Sequence, residues 1–364
     1  MAEGANGAVG APTAIEFGIF DWMDRGSADL GAQYQQRLQM LEVAEEMGFL
    51  CYHLAEHHGT PLGLAPSPSV FLAAAAERTR RMRIGPLVYL LSLYNPVRLL
   101  EEICMLDHLS GGRFDLGVGR GISPFELATL NVAIAESRAI FHEALSVILQ
   151  GLATGEVDHA GRYFTFKNVR VQVQPVQRPY PPLWYPTSNA ETVPWIAEHG
   201  FNTIFGLPTL PPIREQRAIY QRVAAEHQDD PDRLNGHVAA PKYGLNRIVY
   251  VAETDAQARA EAKAAYPTFF HNFEYLWALN GDHRYDDLAD FDARLARGGV
   301  IVGSPETVRA QVAECLEQTG CNYFSGAFAW GSLTTQQVVT SVRLFGEHVI
   351  PAIRTSTAPA GVIL

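Results

Sequence analysis

From residue 15 onward, short apolar runs alternate with longer stretches in which apolar positions recur every three or four residues. The first pattern predicts strands and the second predicts amphipathic helices. Strands are expected at IEFGIF (15–20), LCYHLAE (50–56), RIGPLVYLL (83–91), RFDLGVG (113–119), LWYPT (183–187), FNTIFG (201–206), YGLNRIVYVA (243–252) and NYFSGAF (322–328). Helices are expected at 36–48, 70–79, 96–110, 137–152, 190–200, 213–227, 255–266, 304–320 and 334–353. Gly48 closes the first helix, Pro96 opens the third, and Ser304 followed by Pro305 has the N-cap and N1 signature.

Eight strands alternating with helices call for a parallel sheet with helical crossovers. A closed (β/α)8 TIM barrel is the simplest arrangement of that count. A doubly wound open sheet is the alternative. Two segments fall outside the alternation. Residues 155–182, with Pro175, Pro179, Pro181 and Pro182, form an irregular excursion with room for a hairpin. Residues 267–298 are rich in aromatics, aspartates and glycines and read as irregular, with no strand pattern. No domain boundary is marked, so 15–354 is expected to be one domain. A flexible leader (1–14) precedes it and a flexible tail (355–364) follows.

Composition narrows the function classes. Hydrophobic residues are 47%, enough for a large core, and charged residues are 18%, below the roughly 25% of an average protein. The net charge is −11 and the only tight basic cluster is Arg78, Arg80, Arg81 and Arg83, which fits a solvated helix end better than a nucleic-acid face. Cys51, Cys104, Cys315 and Cys321 form no CxxC pair. With no basic, apolar leader and no run of ~18 apolar residues, a cytoplasmic protein without a membrane partner is expected.

In a (β/α)8 barrel the chemistry sits at the C-terminal ends of the strands. That rule selects Glu56-His57-His58 after the second strand, Gly119-Arg120-Gly121 after the fourth and Ser188-Asn189 after the fifth. His53 and His57 have His-x-x-x-His spacing, but residues four apart in a strand lie roughly 13 Å apart. Acid/base work or a packed structural role for His57 therefore competes with metal binding, and no metal site is expected. Gly117-Val118-Gly119-Arg120-Gly121 fails the dinucleotide pattern, since Ile122 stands where a sixth-position glycine belongs. Arg120 at that strand end suits a phosphate clamp, or else a salt bridge on the barrel rim. Ser188, Asn189 and Thr192 suit phosphate binding or ordinary N-capping equally well.

LAEHHG (54–59), NPVRLLEEICMLDHLSGGRFDLGVGRG (95–121) and VIVGSPETVRAQV (300–312) resemble the luciferase-like flavin monooxygenases, in matching order across about residues 15–352. The resemblance implies FMN at the C-terminal end of the barrel. It implies His57 as the side chain assisting the flavin chemistry, and Arg120 and Gly121, with Ser188, Asn189 and Thr192, at the FMN phosphate. It further implies a non-prolyl cis peptide at Leu87–Val88 under the flavin ring. His58 and Glu101 are expected at a subunit interface, hence a homodimer.

The implied reaction uses FMNH2 from a separate flavin reductase and O2 to oxygenate a small organic substrate through a C4a-(hydro)peroxyflavin. The resemblance also implies a mobile lid at 267–298, where Phe269, Phe270, Phe273, Tyr275 and Trp277 would cover an apolar substrate or simply pack on the barrel. Bacterial luciferase carries a reactive cysteine just before the phosphate-binding arginine. Gly119 stands there in this chain, which favours a non-luminescent monooxygenase. Two other readings accompany this one: hydride transfer with the deazaflavin F420, and a non-catalytic partner subunit.

Overall fold

The computed structural model describes residues 15–206 and 209–357. The expected leader 1–14 and residues 358–364 of the expected tail lie outside them; residues 355–357 of that tail instead complete the last helix.

The first half of the chain builds β1 (Glu16–Asp21), α1 (Leu30–Glu46), β2 (Cys51–Leu54), α2 (Pro68–Arg78), β3 (Arg83–Pro86), β4 (Tyr89–Leu90), α3 (Pro96–Ser110), β5 (Leu116–Gly119), α4 (Pro124–Thr129) and α5 (Ile134–Thr154). The third expected strand is thus two short ones, divided at the cis peptide Leu87–Val88. Asn95 caps α3 by accepting from the amides of Val97 and Arg98, with Pro96 at the first turn and Gly111 in the left-handed conformation at the end. The excursion contains an antiparallel hairpin, β6 (Glu156–Ala160) with β7 (Thr165–Arg170).

Next come β8 (Leu183–Trp184), α6 (Val193–Glu198), β9 (Thr203–Phe205), α7 (Leu210–Glu226), β10 (Tyr243–Val251), α8 (Asp255–Leu279), α9 (Phe291–Ala296), β11 (Val300–Gly303), α10 (Pro305–Thr319), β12 (Tyr323–Ala327), α11 (Thr335–Leu344) and α12 (Ile350–Thr357). The last two helices are joined by a π turn at Phe345–Val349.

The parallel pairings close a ring. β1 pairs with β2, and β2 with β3. A bridge from Ile84 to Phe114 and the β4–β5 pair carry the sheet onward. β5 pairs with β8, bridges at Trp184–Asn202 and Thr187–Phe205 reach β9, and β9 pairs with β10. β10 then pairs with β12, and β12 with β1. The eight expected strands are therefore the staves of a (β/α)8 barrel.

Two expectations change. β11 is an additional strand, missed because VIVG is only four residues long between Gly298-Gly299 and Ser304. Ile248 partners both Ala327 and Val300, so β11 lies along the same edge of β10 as β9, further on. The 267–298 segment is not irregular at its start, because α8 runs through Pro267 to Leu279. Proline removes one amide from the helix. Buried Tyr266, Phe269 and Asn272 hold the helix together across it: Tyr266 Oη donates to Leu288 O at 2.6 Å, and Asn272 Nδ2 donates to Arg25 O at 2.8 Å.

The barrel lumen is filled by Leu87, Trp184, Ile204 and Tyr323, with His53 among them. His53 Nε2 bonds Tyr323 Oη at 2.8 Å, and Trp184 Nε1 donates to Asp115 at 3.0 Å. Gly18 is required beside them, because a Cβ there would lie 1.7 Å from Tyr323 Oη. This packed layer is the floor on which the strand-end residues stand.

Candidate active site

Above that floor opens a cavity of about 500 Å3 at the C-terminal ends of the strands. One wall comes from β1 and β2, with Phe20, Ala55 and His57. The opposite wall comes from α5 and the segment after β8, with Arg138, His142, Tyr185, Ser188 and Thr192. Leu87 and Val88 line the space between them, together with Gly119, Arg120 and Ile122. The structure thus brings together all of the residues expected to touch the cofactor.

His57 follows β2 and is half-buried. Its Nδ1 lies 3.0 Å from Glu126 Oε1, and that oxygen also accepts from the amide of His58 at 2.9 Å. An ionised carboxylate only accepts, so the bond places the proton on Nδ1. Nε2 has no hydrogen-bond partner among the described residues. Burial works to raise Glu126, but His57 and the His58 amide outweigh it and hold the carboxyl below its usual range.

Glu126 was not legible as a site residue, although a signal existed. Ser123-Pro124-Phe125-Glu126 is an S-x-x-E capping-box pattern. Ser123 does cap α4 through the amide of Glu126. The Glu126 side chain does not turn back to the cap but reaches His57 instead.

His58 has a different carboxylate. Its Nε2 lies 2.8 Å from Glu56 Oε1, and Glu56 Oε2 accepts from the Leu90 amide at 3.1 Å. Burial raises Glu56, and its bond to Glu56 raises His58 against the opposing effect of burial. The pair ties the end of β2 to β4. Glu101 lies exposed on α3, so within the chain the structure joins His58 to Glu56 rather than to Glu101. The three histidines do not converge: His53 is held by Tyr323 in the lumen, and burial depresses its pKa to about 4.

The opposite wall is cationic. Arg120 donates to Ser137 Oγ at a long 3.4 Å, and its carbonyl accepts from Ser92 Oγ at 2.7 Å. Among the described residues neither Arg120 nor Arg138 has a carboxylate within ion-pair distance. Both face Tyr185 closely enough to oppose the upward push of burial on its phenol. Two guanidinium groups lining a cavity without acidic partners make a site for an anion. Asn189 is already engaged, since its Oδ1 caps the turn at the Glu191 amide. Arg138 and His142, on α5, were missed because their helix carries no local sign of facing a cavity.

A family model described as luciferase-like monooxygenase matches residues 15–323. The chain belongs to this family. An uncharacterized protein of Sinorhizobium fredii, y4wF, is 36% identical over 88% of this chain and 92% of that one. Limonene 1,2-monooxygenase of Rhodococcus erythropolis is 28% identical over 95% of this chain and 88% of its own. Among solved structures, monooxygenase RslO1 of Streptomyces bottropensis superposes with a TM-score of 0.79 at 26% identity, covering 93% of this chain and 99% of that one. The oxygenating constituent of 3,6-diketocamphane monooxygenase of Pseudomonas putida, in complex with FMN, gives 0.76 at 20% identity, over 93% and 98%. Membership in the luciferase-like monooxygenases makes this chain an oxidoreductase of a flavin-using family.

Within that family the position before Arg120 is constrained here by packing. A Cβ on Gly119 would come 2.6 Å from Val88 Cγ2, so a cysteine there needs Val88 to move. Phe20, which lines the cavity, starts a chain of aromatic rings that leads to α8. Phe20 contacts Trp22 (4.8 Å), and Trp22 contacts Phe269 on α8 (5.2 Å). Further along α8, Trp277 contacts Phe125 (5.4 Å), the residue before Glu126. Of the expected covering aromatics, Phe269 is fully buried in the barrel's packing, and Phe270, Phe273, Tyr275 and Trp277 are partly buried.

Proposed function

We propose that this chain is the oxygenase component of a two-component system, binding FMNH2 supplied by a separate flavin reductase and using O2 to oxygenate a small organic substrate. The observation that carries the reading is one cavity with a carboxylate-fixed histidine on one wall and two unpaired arginines on the other. The residues present fit FMN. Arg120 and Arg138, with the hydroxyls of Ser188 and Thr192, would hold the phosphate, and Leu87–Val88 with Gly119 would give the flat ring an apolar seat. Reduced FMN, when bound, supplies the electrons with which O2 is activated.

The chain's own residues do the rest. With the Nδ1 proton held by Glu126, Nε2 is left to accept a proton from the cavity and, from the imidazolium that Glu126 stabilises, to return it. Phe20, Leu87 and Leu90 give the cavity the apolar lining that excludes water once the cofactor is bound. Exposed Met105 and Leu109 lie one and two turns beyond Glu101 on α3, and Val70 on α2 is also exposed. This is the apolar face that a homodimer would bury.

Equilibrium binding of FMN, FMNH2 and F420 to the purified chain tests the cofactor. Preference for FMNH2, lost in Arg120→Ala, supports the reading. Tight binding of F420 alone would overturn it in favour of hydride transfer. Among the described residues no helix is long and apolar enough to cross a membrane.

A further inference from the structure

We infer that His142 is a third, titratable ligand of the flavin phosphate, so that the chain takes up a proton as it binds the cofactor. This rests on the flavin reading above.

His142 stands one turn beyond Arg138 on α5, and both side chains line the cavity with Ser188 and Thr192. Residues four apart on a helix share a face, with Cβ atoms roughly 5–6 Å apart. The imidazole therefore faces the same stretch of cavity as the Arg138 guanidinium. Other rings hold it in place: Phe141 at 5.1 Å and 70°, and Trp195 at 5.4 Å and 87°. Neither of its nitrogens has a hydrogen-bond partner among the described residues, and one edge of the residue is exposed. His57 is fixed by a carboxylate; His142 has none.

The charges around it favour the neutral ring. Arg138 faces it from its own helix, and His199 faces it from the end of α6, on the far side of Trp195. Arg120, Tyr185 and Glu191 complete the lining at this end of the cavity. Glu191 is exposed and forms no ion pair with either arginine or with His142 among the described residues. Partial burial, then Arg138 and His199, hold the His142 pKa below the usual histidine range. At neutral pH the imidazole of the free site is thus uncharged.

A phosphate monoester brings a charge of about −1.5 to −2. Placed beside Arg138, it reverses the balance and favours the imidazolium. Phosphate binding and protonation then support each other, each strengthening the other by the same factor. Every pKa unit by which the phosphate raises His142 tightens binding about tenfold once the pH is below both values. Affinity therefore rises as pH falls.

The test compares the full chain with His142→Gln, a change at an exposed position. Oxidised FMN, FMNH2 under anaerobic conditions and riboflavin are titrated at pH 8 and pH 6 by flavin absorbance and fluorescence. Calorimetry in two buffers of different ionisation enthalpy counts the protons exchanged. The phosphate's own second ionisation, near pH 6, contributes in both proteins, so their difference isolates the histidine. The advantage of the unaltered chain over His142→Gln in FMN affinity is expected to be about three- to tenfold larger at pH 6 than at pH 8. The unaltered chain should also take up more protons per FMN bound. Riboflavin, which lacks the phosphate, should either bind without that difference or not bind at all. The same pH dependence and proton count in both proteins would overturn the assignment, as would an equal difference with riboflavin. Failure of both FMN and FMNH2 to bind the unaltered chain refutes the cofactor reading itself, and the inference falls with it.

Discussion

Two regions separated by the Leu87–Val88 peptide use the same residue types to opposite ends. Below it, in the lumen, His53, Tyr323, Trp184 and Asp115 are fully buried or nearly so, and each polar group meets another protein group. Above it, His57 and Arg120 are partly exposed and incompletely satisfied, with His57 Nε2 facing a cavity. A histidine whose ring is enclosed and partnered is held neutral and serves packing. A histidine fixed at one nitrogen and open at the other is equipped to move a proton. Completeness of partnering, rather than residue identity, separates structure from chemistry here.

Breaking the upper region should damage function and spare the fold. His57→Ala is expected to cut coupled oxygenation by 100-fold or more, the scale of general acid–base catalysis, while FMN affinity changes by less than about threefold. Product formed per FMNH2 consumed, set beside a flavin titration, checks this. Arg120→Ala is expected to weaken FMN binding about 10- to 100-fold, as for loss of a charge-assisted pair, with the melting temperature little changed.

Breaking the lower region should do the reverse. Tyr323→Phe leaves His53 Nε2 without its bond in a sealed site, at a cost of roughly 1–3 kcal/mol of stability. Denaturant unfolding would show that loss, and FMN affinity should be retained.

The smallest effect is a pH dependence. Burial depresses His53 to about 4 from its ordinary 6.5, so the unfolded chain binds the extra proton first. Its contribution is complete above pH 6.5 and is lost as pH falls towards 4. Asp24, raised by burial to about 7, pulls the other way over an overlapping window. The difference between wild type and His53→Gln therefore isolates the histidine, with the stability gap closing as pH falls from 6.5 to 4. A gap that does not change with pH would show that His53 is not held neutral.

Much of this division was legible in the sequence, for reasons that can be named. The short apolar runs located the eight staves and the period-3.6 stretches most of the helices between them, and the strand-end rule pointed to His57 and Arg120. Conversely, β11 is too short to stand out from its flanking glycines. Pro267 looked like a helix end because local propensity cannot register the tertiary contacts of Tyr266 and Asn272. Glu126 carried a capping signature whose local meaning hid its long-range one. Arg138 and His142 depend on how α5 turns against the barrel, which no short window of sequence contains. His53, within the His-x-x-x-His spacing, shows the converse: strand geometry separated it from His57, but only the fold shows it sealed against Tyr323.

The central claim is that the cavity holds reduced FMN where His57 can act on the oxygen chemistry. Anaerobic titration with FMNH2, followed by rapid mixing with O2, tests it most directly. The account predicts tight one-to-one binding and a return of oxidised-flavin absorbance that is delayed relative to free FMNH2 and altered by His57→Ala. Reoxidation at the rate of free FMNH2, identical in the wild type and in His57→Ala, would contradict it.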